Sequence, residues 1–132
     1  MSFFELRGSG TNRLVLLTGR FALKFARHRK GRIANRFEAD LWFRSPDHRR
    51  QILCPVLWVS PLGLVVVMPR ARELLATEFP LLSPITAFRQ WDYQPPNDDG
   101  APFEFKTSDW GWLGERMVAV DYSATADFGE VA

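Results

Sequence analysis

Two ionisable residues in the first third of the chain have surroundings that suit them to chemistry. Lys24 lies between Ala22 and Ala26 in the apolar segment 21–26, so on a β-strand it shares one face with two small side chains. A lysine in that setting lies on a surface that another group must approach closely. Glu38 falls beside an apolar stripe, where a buried carboxylate is costly unless it meets an opposite charge. We therefore predict that Lys24 and Glu38 form an ion pair, the alternative being that both are solvated surface residues.

A short glycine-containing segment precedes these residues. Gly8 and Gly10 flank Ser9, and Val15 follows Gly8 by seven residues. Glycine lets a backbone approach a phosphate without a Cβ clash. Such a pair alone is typical of a simple turn, whereas its combination with Lys24 and Glu38 favours a phosphate-approaching loop.

A β-hairpin and a helix are needed to position this set. Apolar runs at 14–17 and 21–26, separated by turn-forming residues, predict two strands. A helix is predicted over about 32–44, ending at Ser45-Pro46. Its apolar stripe consists of Ile33, Phe37 and Leu41, which recur every four residues.

A second hairpin is predicted further along the chain. Residues 52–59 and 64–68 are rich in branched aliphatic side chains, and the segment 60–63 between them has turn chemistry. Pro69 is expected to end the last strand, because it cannot donate to a ladder.

The character of the chain changes near residue 80, where periodicity weakens. We expect a short helix over about 83–91, a hairpin over 110–120 with a buried second strand, and a poorly ordered tail over 123–132. The length leaves room for one hydrophobic core, so a single domain of residues 1–132 is predicted.

The amino-terminal half resembles the small lobe of the protein-kinase family. The segments GSGTNRLV (8–15), FALK (21–24) and RFEADLW (36–42) are similar to its glycine-rich hairpin, its lysine-bearing strand and the helix with its glutamate. The resemblance implies an α+β fold. Residues 1–75 would form a kinase-like small lobe, an antiparallel sheet of about five strands with one main helix, and 76–132 a reduced C-terminal remnant.

The same resemblance implies ATP and magnesium as ligands. Lys24 would hold the α- and β-phosphates, and Glu38 would orient Lys24. The implied cofactor-binding positions are Gly8, Gly10, Val15, Ala22, Lys24, Glu38, Met68 and Ala71, with Val15 and Ala22 against the adenine and Met68 to Ala71 as the hinge. Arg13 stands where the family has its third loop glycine, which is a departure from the pattern.

The carboxyl half resembles the family's catalytic loop and metal-binding segment through EFKTSDWG (104–111) and VAVDYS (118–123). By this resemblance Asp121 would be a catalytic residue and a magnesium ligand, Asp109 a second metal ligand, and Glu104 the catalytic base. The family has asparagine and aspartate at the last two positions. The alternatives are a turn residue at Asp121 and a solvated Glu104. Only eleven residues follow Asp121, so we expect no activation segment.

The composition indicates the cellular compartment of the protein more than its function. The net charge is +2 and the isoelectric point is about 9.0, too mild an excess to indicate nucleic acid by itself. Cys54 is the single cysteine, which favours core packing and a reducing compartment. The sequence shows no leader pattern or membrane-spanning run, so a cytoplasmic protein is predicted, in the host cytoplasm if a virus encodes it.

Three functions remain open at this stage. The favoured one is a small pseudokinase-like binding or inhibitory module without catalytic activity, of the kind that bacterial viruses carry, whose partner is a host protein. The first alternative is a nucleotide-dependent small-molecule phosphotransferase using Lys24, Glu38 and Asp121. The second is nucleic-acid binding through the basic loop 27–32, which a steep salt dependence would reveal.

Overall fold

A computed structural model of the protein describes residues 5–9, 12–81, 87, 90–92 and 100–128. The chain divides into two compact units. Unit 1 comprises Met1–Phe43, Pro55–Arg70 and Ala126–Ala132, and unit 2 comprises Arg44–Cys54 and Ala71–Thr125. The predicted α+β class is confirmed, with antiparallel sheets and one main helix.

Unit 1 contains an antiparallel sheet in the order β1-β2-β3-β5-β4. Its strands are β1 (Glu5–Ser9), β2 (Arg13–Leu17), β3 (Phe21–Ala26), β4 (Trp58–Val59) and β5 (Val65–Pro69). The predicted hairpin of β2 and β3 is present, and Thr18 closes its turn by accepting a hydrogen bond from the Phe21 N–H through its hydroxyl (2.9 Å). Because directly opposed residues share a face, the register decides which side chains of neighbouring strands meet.

The main helix, α1 (Arg29–Arg44), begins before the predicted start at residue 32. The predicted basic loop 27–32 was therefore wrong over its last four residues, which are helical. Gly31 is buried within α1. A Cβ at this position would overlap the Asn12 carbonyl oxygen and lie 2.9 Å from the Ala26 Cα. This glycine serves close packing of α1 on the β2–β3 hairpin and does not mark a loop.

The second predicted hairpin is shorter than expected. Its first strand was predicted over 52–59 but is paired only at Trp58–Val59. A short helix, α2 (Asp47–Arg50), precedes it, and Leu53 instead forms an isolated bridge with Ala119 within unit 2. The turn before β5 contains Gly63 with φ of +70°, a conformation that favours glycine.

Unit 2 contains a three-stranded antiparallel sheet in the order β6-β7-β8. Its strands are β6 (Arg72–Glu73), β7 (Trp110–Leu113) and β8 (Arg116–Ala119), with 3₁₀ turns at Ala76–Leu81 and Thr107–Asp109. The predicted hairpin over 110–120 is confirmed. Most of the helix predicted over 83–91 lies outside the described residues, although Ala87, Gln90 and Trp91 are helical.

Aromatic side chains fill the interior of unit 2. Phe103 packs edge-on against both Trp91 and Trp110, with ring centroids 5.6 Å and 5.0 Å apart. Both tryptophans are buried, so they belong to a core and not to an exposed interface. The hydroxyl of the buried Tyr122 donates to the Cys54 carbonyl at 2.8 Å.

The carboxyl-terminal segment has backbone hydrogen bonds as far as it is described. The Ala124 N–H donates to the Pro102 carbonyl within unit 2, and Arg29 donates to the Phe128 carbonyl within unit 1. Residues 129–132 of the predicted tail lie outside the described residues. None of the helices in the described ranges is both long enough and apolar enough to cross a bilayer.

Candidate functional site

A buried group of charged side chains lies between α1 and the sheet of unit 1. The Glu38 carboxylate accepts a hydrogen bond from Lys24 Nζ at 3.0 Å, so the predicted ion pair is present. Arg13 joins it, with Nη1 2.6 Å from Oε1 and Nη2 3.2 Å from Oε2. We call Arg13, Lys24, Asn35 and Glu38 the Glu38 cluster.

The sheet register explains why both cations reach one carboxylate. Val15 of β2 lies opposite Lys24 of β3, and Arg13 lies opposite Ala26. Since alternate residues of a strand share a face, Arg13 and Lys24 point to the same side of the sheet. Glu38 and Asn35 are three residues apart on α1 and therefore face that side together.

Asn35 connects the cluster to the backbone around it. Its side-chain oxygen accepts from Arg13 at 3.2 Å, and its amide nitrogen donates to the carbonyls of Lys24 at 3.0 Å and Gly63 at 2.9 Å. A buried amide needs partners for its donors and its acceptor, and Asn35 has both. This residue links α1 to strand β3 and to the turn before β5.

The cluster contains two cations and one anion, all withdrawn from water. Arg13 is 3% exposed, Lys24 5% and Glu38 0%. The arginine meets both carboxylate oxygens, the geometry that gives the strongest charge-assisted hydrogen bonds. Burial makes Glu38 indispensable to both cations, because a charge that loses its counter-ion in the interior is strongly destabilising.

The role of Arg13 was missed by reasoning from the sequence. That reasoning treated it as a departure from a loop glycine, whereas it is the first residue of β2. A signal was present, because Arg13 alternates with Val15 and Leu17 and so shares the face of Lys24 in any hairpin with this turn.

The other implied nucleotide-binding residues of unit 1 fall partly on the same face. Val15, Ala22 and Met68 are opposed to Lys24, Leu17 and Ala22 respectively, so the register places them beside Lys24. Gly8 belongs to β1 and pairs with Leu14 through its backbone. Gly10 lies outside the described residues, and Ala71 belongs to unit 2. Their role in binding a cofactor stays a prediction.

The three acidic residues implied in the carboxyl half all belong to unit 2. Asp109 is buried at the end of a 3₁₀ turn, and its carbonyl accepts from the Val120 N–H at 2.7 Å. This bond aligns the segments that carry Asp109 and Asp121. Glu104 is exposed, and its carbonyl accepts from the Trp110 indole at 2.7 Å.

A metal site is not evident from the acidic residues themselves. Within the ranges that the structure describes, no group of three or more His, Cys, Asp or Glu side chains could hold a metal ion. Asp109 and Asp121 are the residues that could bind magnesium through oxygen, as hard cations prefer. That assignment stays a prediction, as does the catalytic role of Glu104.

A separate ion pair lies in unit 2, near the beginning of its segment Ala71–Thr125. Arg72 donates to both carboxylate oxygens of Glu78 at 3.2 Å and 2.8 Å, and the Leu75 N–H donates to the same carboxylate at 2.9 Å. The hydrogen bonds from Arg72 and then from Leu75 lower the pKa of Glu78 to about 2. The same pair raises the pKa of Arg72 above its ordinary value.

No protein-family model matches this chain, and no curated protein matches it either.

Proposed function

We propose that the protein is a pseudokinase-like binding module, in which a kinase-like small lobe is kept as a scaffold and the partner is another protein. The observation that supports this is the position of Arg13. It occupies the place of the third loop glycine in the resembled family, and its guanidinium takes both oxygens of the Glu38 carboxylate.

The arrangement of charges favours a structural role over phosphate binding. In phosphoryl transfer the lysine must present its charge to the nucleotide phosphates while the glutamate orients it. Here Lys24 is almost fully buried and shares Glu38 Oε1 with Arg13. A phosphate would have to reach a lysine that is almost fully buried and whose ammonium group already donates to Glu38.

Exposed apolar side chains support a protein partner. Phe21, Leu57 and Trp58 of unit 1 are large and exposed. Large aromatic residues are enriched at the centres of protein interfaces, where they supply most of the binding energy.

Calorimetric titration of the whole protein with ATP, with and without magnesium, tests this proposal. We expect ATP to bind no more tightly than about 1 mM, because Lys24 is held inside the buried Glu38 cluster. Micromolar binding that requires magnesium, and that Lys24→Met abolishes in a folded protein, would refute it. Asp47→Ala is the matched control, since it removes an exposed carboxylate at the start of α2.

A nucleotide-dependent phosphotransferase acting on a small molecule is the second candidate. Two observations favour it: the Lys24–Glu38 ion pair, and the backbone bond that aligns the segments bearing Asp109 and Asp121. If this function is correct, Asp121→Ala abolishes magnesium-dependent ATP binding and Asp47→Ala leaves it unchanged. Binding that survives Asp121→Ala would argue against it.

A further inference from the structure

The face of the unit 1 sheet that is turned away from the Glu38 cluster is apolar and exposed. In the register Leu16, Leu23, Val67 and Trp58 lie side by side across four strands, and Phe21 and Phe25 flank Leu23 along β3. We call these six residues the apolar sheet face. None of the six is buried, and Phe21 is 41% exposed, Phe25 38% and Trp58 54%.

A sheet with one apolar face open to water is unusual. Sheets normally bury their apolar faces against another layer, and single scattered hydrophobic residues do not form a continuous row across strands. Leu14 and Val65 extend the row on either side of Phe25, and both are only partly buried. The continuity across β2, β3, β5 and β4 indicates a surface built to be covered.

The charged residues of the segments that form β2 to β5 are all basic. Residues 12–28 and 55–70, which contain β2 to β5 and their turns, include no aspartate or glutamate. Arg20 directly precedes β3 and Arg27 directly follows it, and both are exposed. The aromatic strand is therefore preceded and followed in sequence by an exposed arginine, which favours an occupant with acidic residues at its edges.

The dimensions of the face favour a single helix. Four strands about 4.8 Å apart span about 14 Å between the outer strand axes, and a helix of about four turns rises about 21 Å, enough to cross them. The three aromatic side chains expose on the order of 300 Å², if each offers about 200 Å² when fully exposed. A standard protein interface needs about 800 Å² on each side, so the face suits a helix better than a globular partner.

A second copy of the chain is a poor occupant. In a two-fold contact the same surface meets itself, so segments whose charged residues are all basic would face each other. An anionic membrane is also less suitable. Electrostatic membrane binding typically uses clusters of about four to eight basic residues, whereas this rim has Arg20, Arg27 and the partly buried Arg70.

We infer that the apolar sheet face binds an amphipathic helix of a partner protein, with an apolar stripe that covers Phe21, Phe25 and Trp58 and acidic residues that meet Arg20 and Arg27. This inference rests on the proposed function, because it names the class of partner that the binding module takes. Helices commonly bind by laying an apolar face on a hydrophobic surface, and the flanking charges then decide which helix is accepted.

The test is a selection with displayed random peptides of about 16 residues, a length of about four helical turns. The whole protein is the target of the selection. Peptides that also bind the double variant Phe25→Ser, Trp58→Ser are discarded, because they bind outside the apolar sheet face. We expect enriched peptides with apolar residues at helical spacing and an excess of aspartate and glutamate. Circular dichroism of the variants confirms that exposed substitutions leave the fold intact.

A selected peptide is then measured by fluorescence anisotropy against single variants. Phe25→Ser and Trp58→Ser should each weaken binding at least about tenfold, and Arg27→Glu should weaken it and reduce its salt dependence. Leu75→Ser is the matched control, with an equally exposed apolar residue in unit 2, and should leave the affinity within about twofold.

Several results would overturn the inference. These are no enrichment, enrichment of peptides without acidic excess, binding that the face variants do not change, or face-dependent self-association or binding to phosphatidylserine vesicles instead. The two proposals fail separately. Magnesium-dependent phosphotransfer would contradict the proposed non-catalytic function and would leave the peptide-binding result unchanged. A failed peptide selection, together with no ATP binding, would contradict only the helix-binding face and would leave a binding module that uses another surface.

Discussion

The Glu38 cluster predicts a definite order of stability among three substitutions. Glu38→Gln removes the only anion among the four cluster residues and leaves Arg13 and Lys24 buried beside each other. Removing one partner of a buried ionic group costs about 3–5 kcal/mol, because the remaining charge is uncompensated. Here two cations lose their shared partner, so we expect a cost at the upper end of that range.

The two cations should differ from each other. Arg13→Met removes two hydrogen bonds to Glu38 and one to Asn35, and leaves the Lys24–Glu38 pair, so we expect a loss of about 2–4 kcal/mol. Lys24→Met removes one hydrogen bond to Glu38 and leaves the two-pronged Arg13 contact and a locally neutral pair. Its cost should stay below about 1.5 kcal/mol.

Urea denaturation followed by far-ultraviolet circular dichroism gives the free energy of unfolding of each variant. Arg36→Gln is the matched control, because it neutralises an exposed side chain on the same helix and should cost no more than about 0.5 kcal/mol. The reasoning would be refuted if Lys24→Met cost as much as Glu38→Gln, since the arginine would then not be the dominant partner.

Two further predictions concern other parts of the molecule. Because its pKa is lowered, the Glu78 contribution to stability is present above pH 4.5 and is lost as the pH falls toward about 2; a ¹³C NMR titration should find the carboxyl titrating near 2, and Arg72→Ala should raise that pKa. Failure of Arg72→Ala to raise it would contradict the assigned cause. Gly31→Ala should destabilise unit 1 by about 1–3 kcal/mol in urea denaturation, although alanine in an exposed helix position stabilises, because the new Cβ meets backbone atoms. A stabilised Gly31→Ala protein would mean that α1 packs less closely on the hairpin.

The parts of the fold that the sequence predicted well are those with a local cause. The hairpin of β2 and β3 and the hairpin over 110–120 follow from apolar segments on either side of turn-forming residues. The contact of Lys24 with Glu38 followed from the cost of burying a lone carboxylate. These inferences needed only neighbouring residues and elementary electrostatics.

The parts that were missed depend on distant residues. The segment 27–32, which contains Gly31, was predicted to be a loop. The close approach of Asn12 and Ala26 to Gly31 shows why a glycine is needed inside this helix. The apolar run at 52–57 satisfied the criteria for a strand, yet Leu53 pairs with Ala119, far away in sequence. Arg13 joins the cluster through Glu38, which lies 25 residues further along the chain.

The hydrogen bonds of the Glu38 cluster have a consequence for motion. Five of them join α1 to strands β2 and β3: three to the Glu38 carboxylate and two that involve the Asn35 side chain. A helix tied to a sheet by a single lysine–glutamate contact can swing outward by breaking one ion pair, and such a movement lets a domain alternate between two states. Here Arg13 of β2 and Lys24 of β3 both contact the Glu38 carboxylate. An outward movement of α1 would therefore have to break the contacts of two buried cations with one carboxylate at the same time. We therefore expect α1 to keep one position against the sheet, so that unit 1 presents its surface to a partner in a single shape.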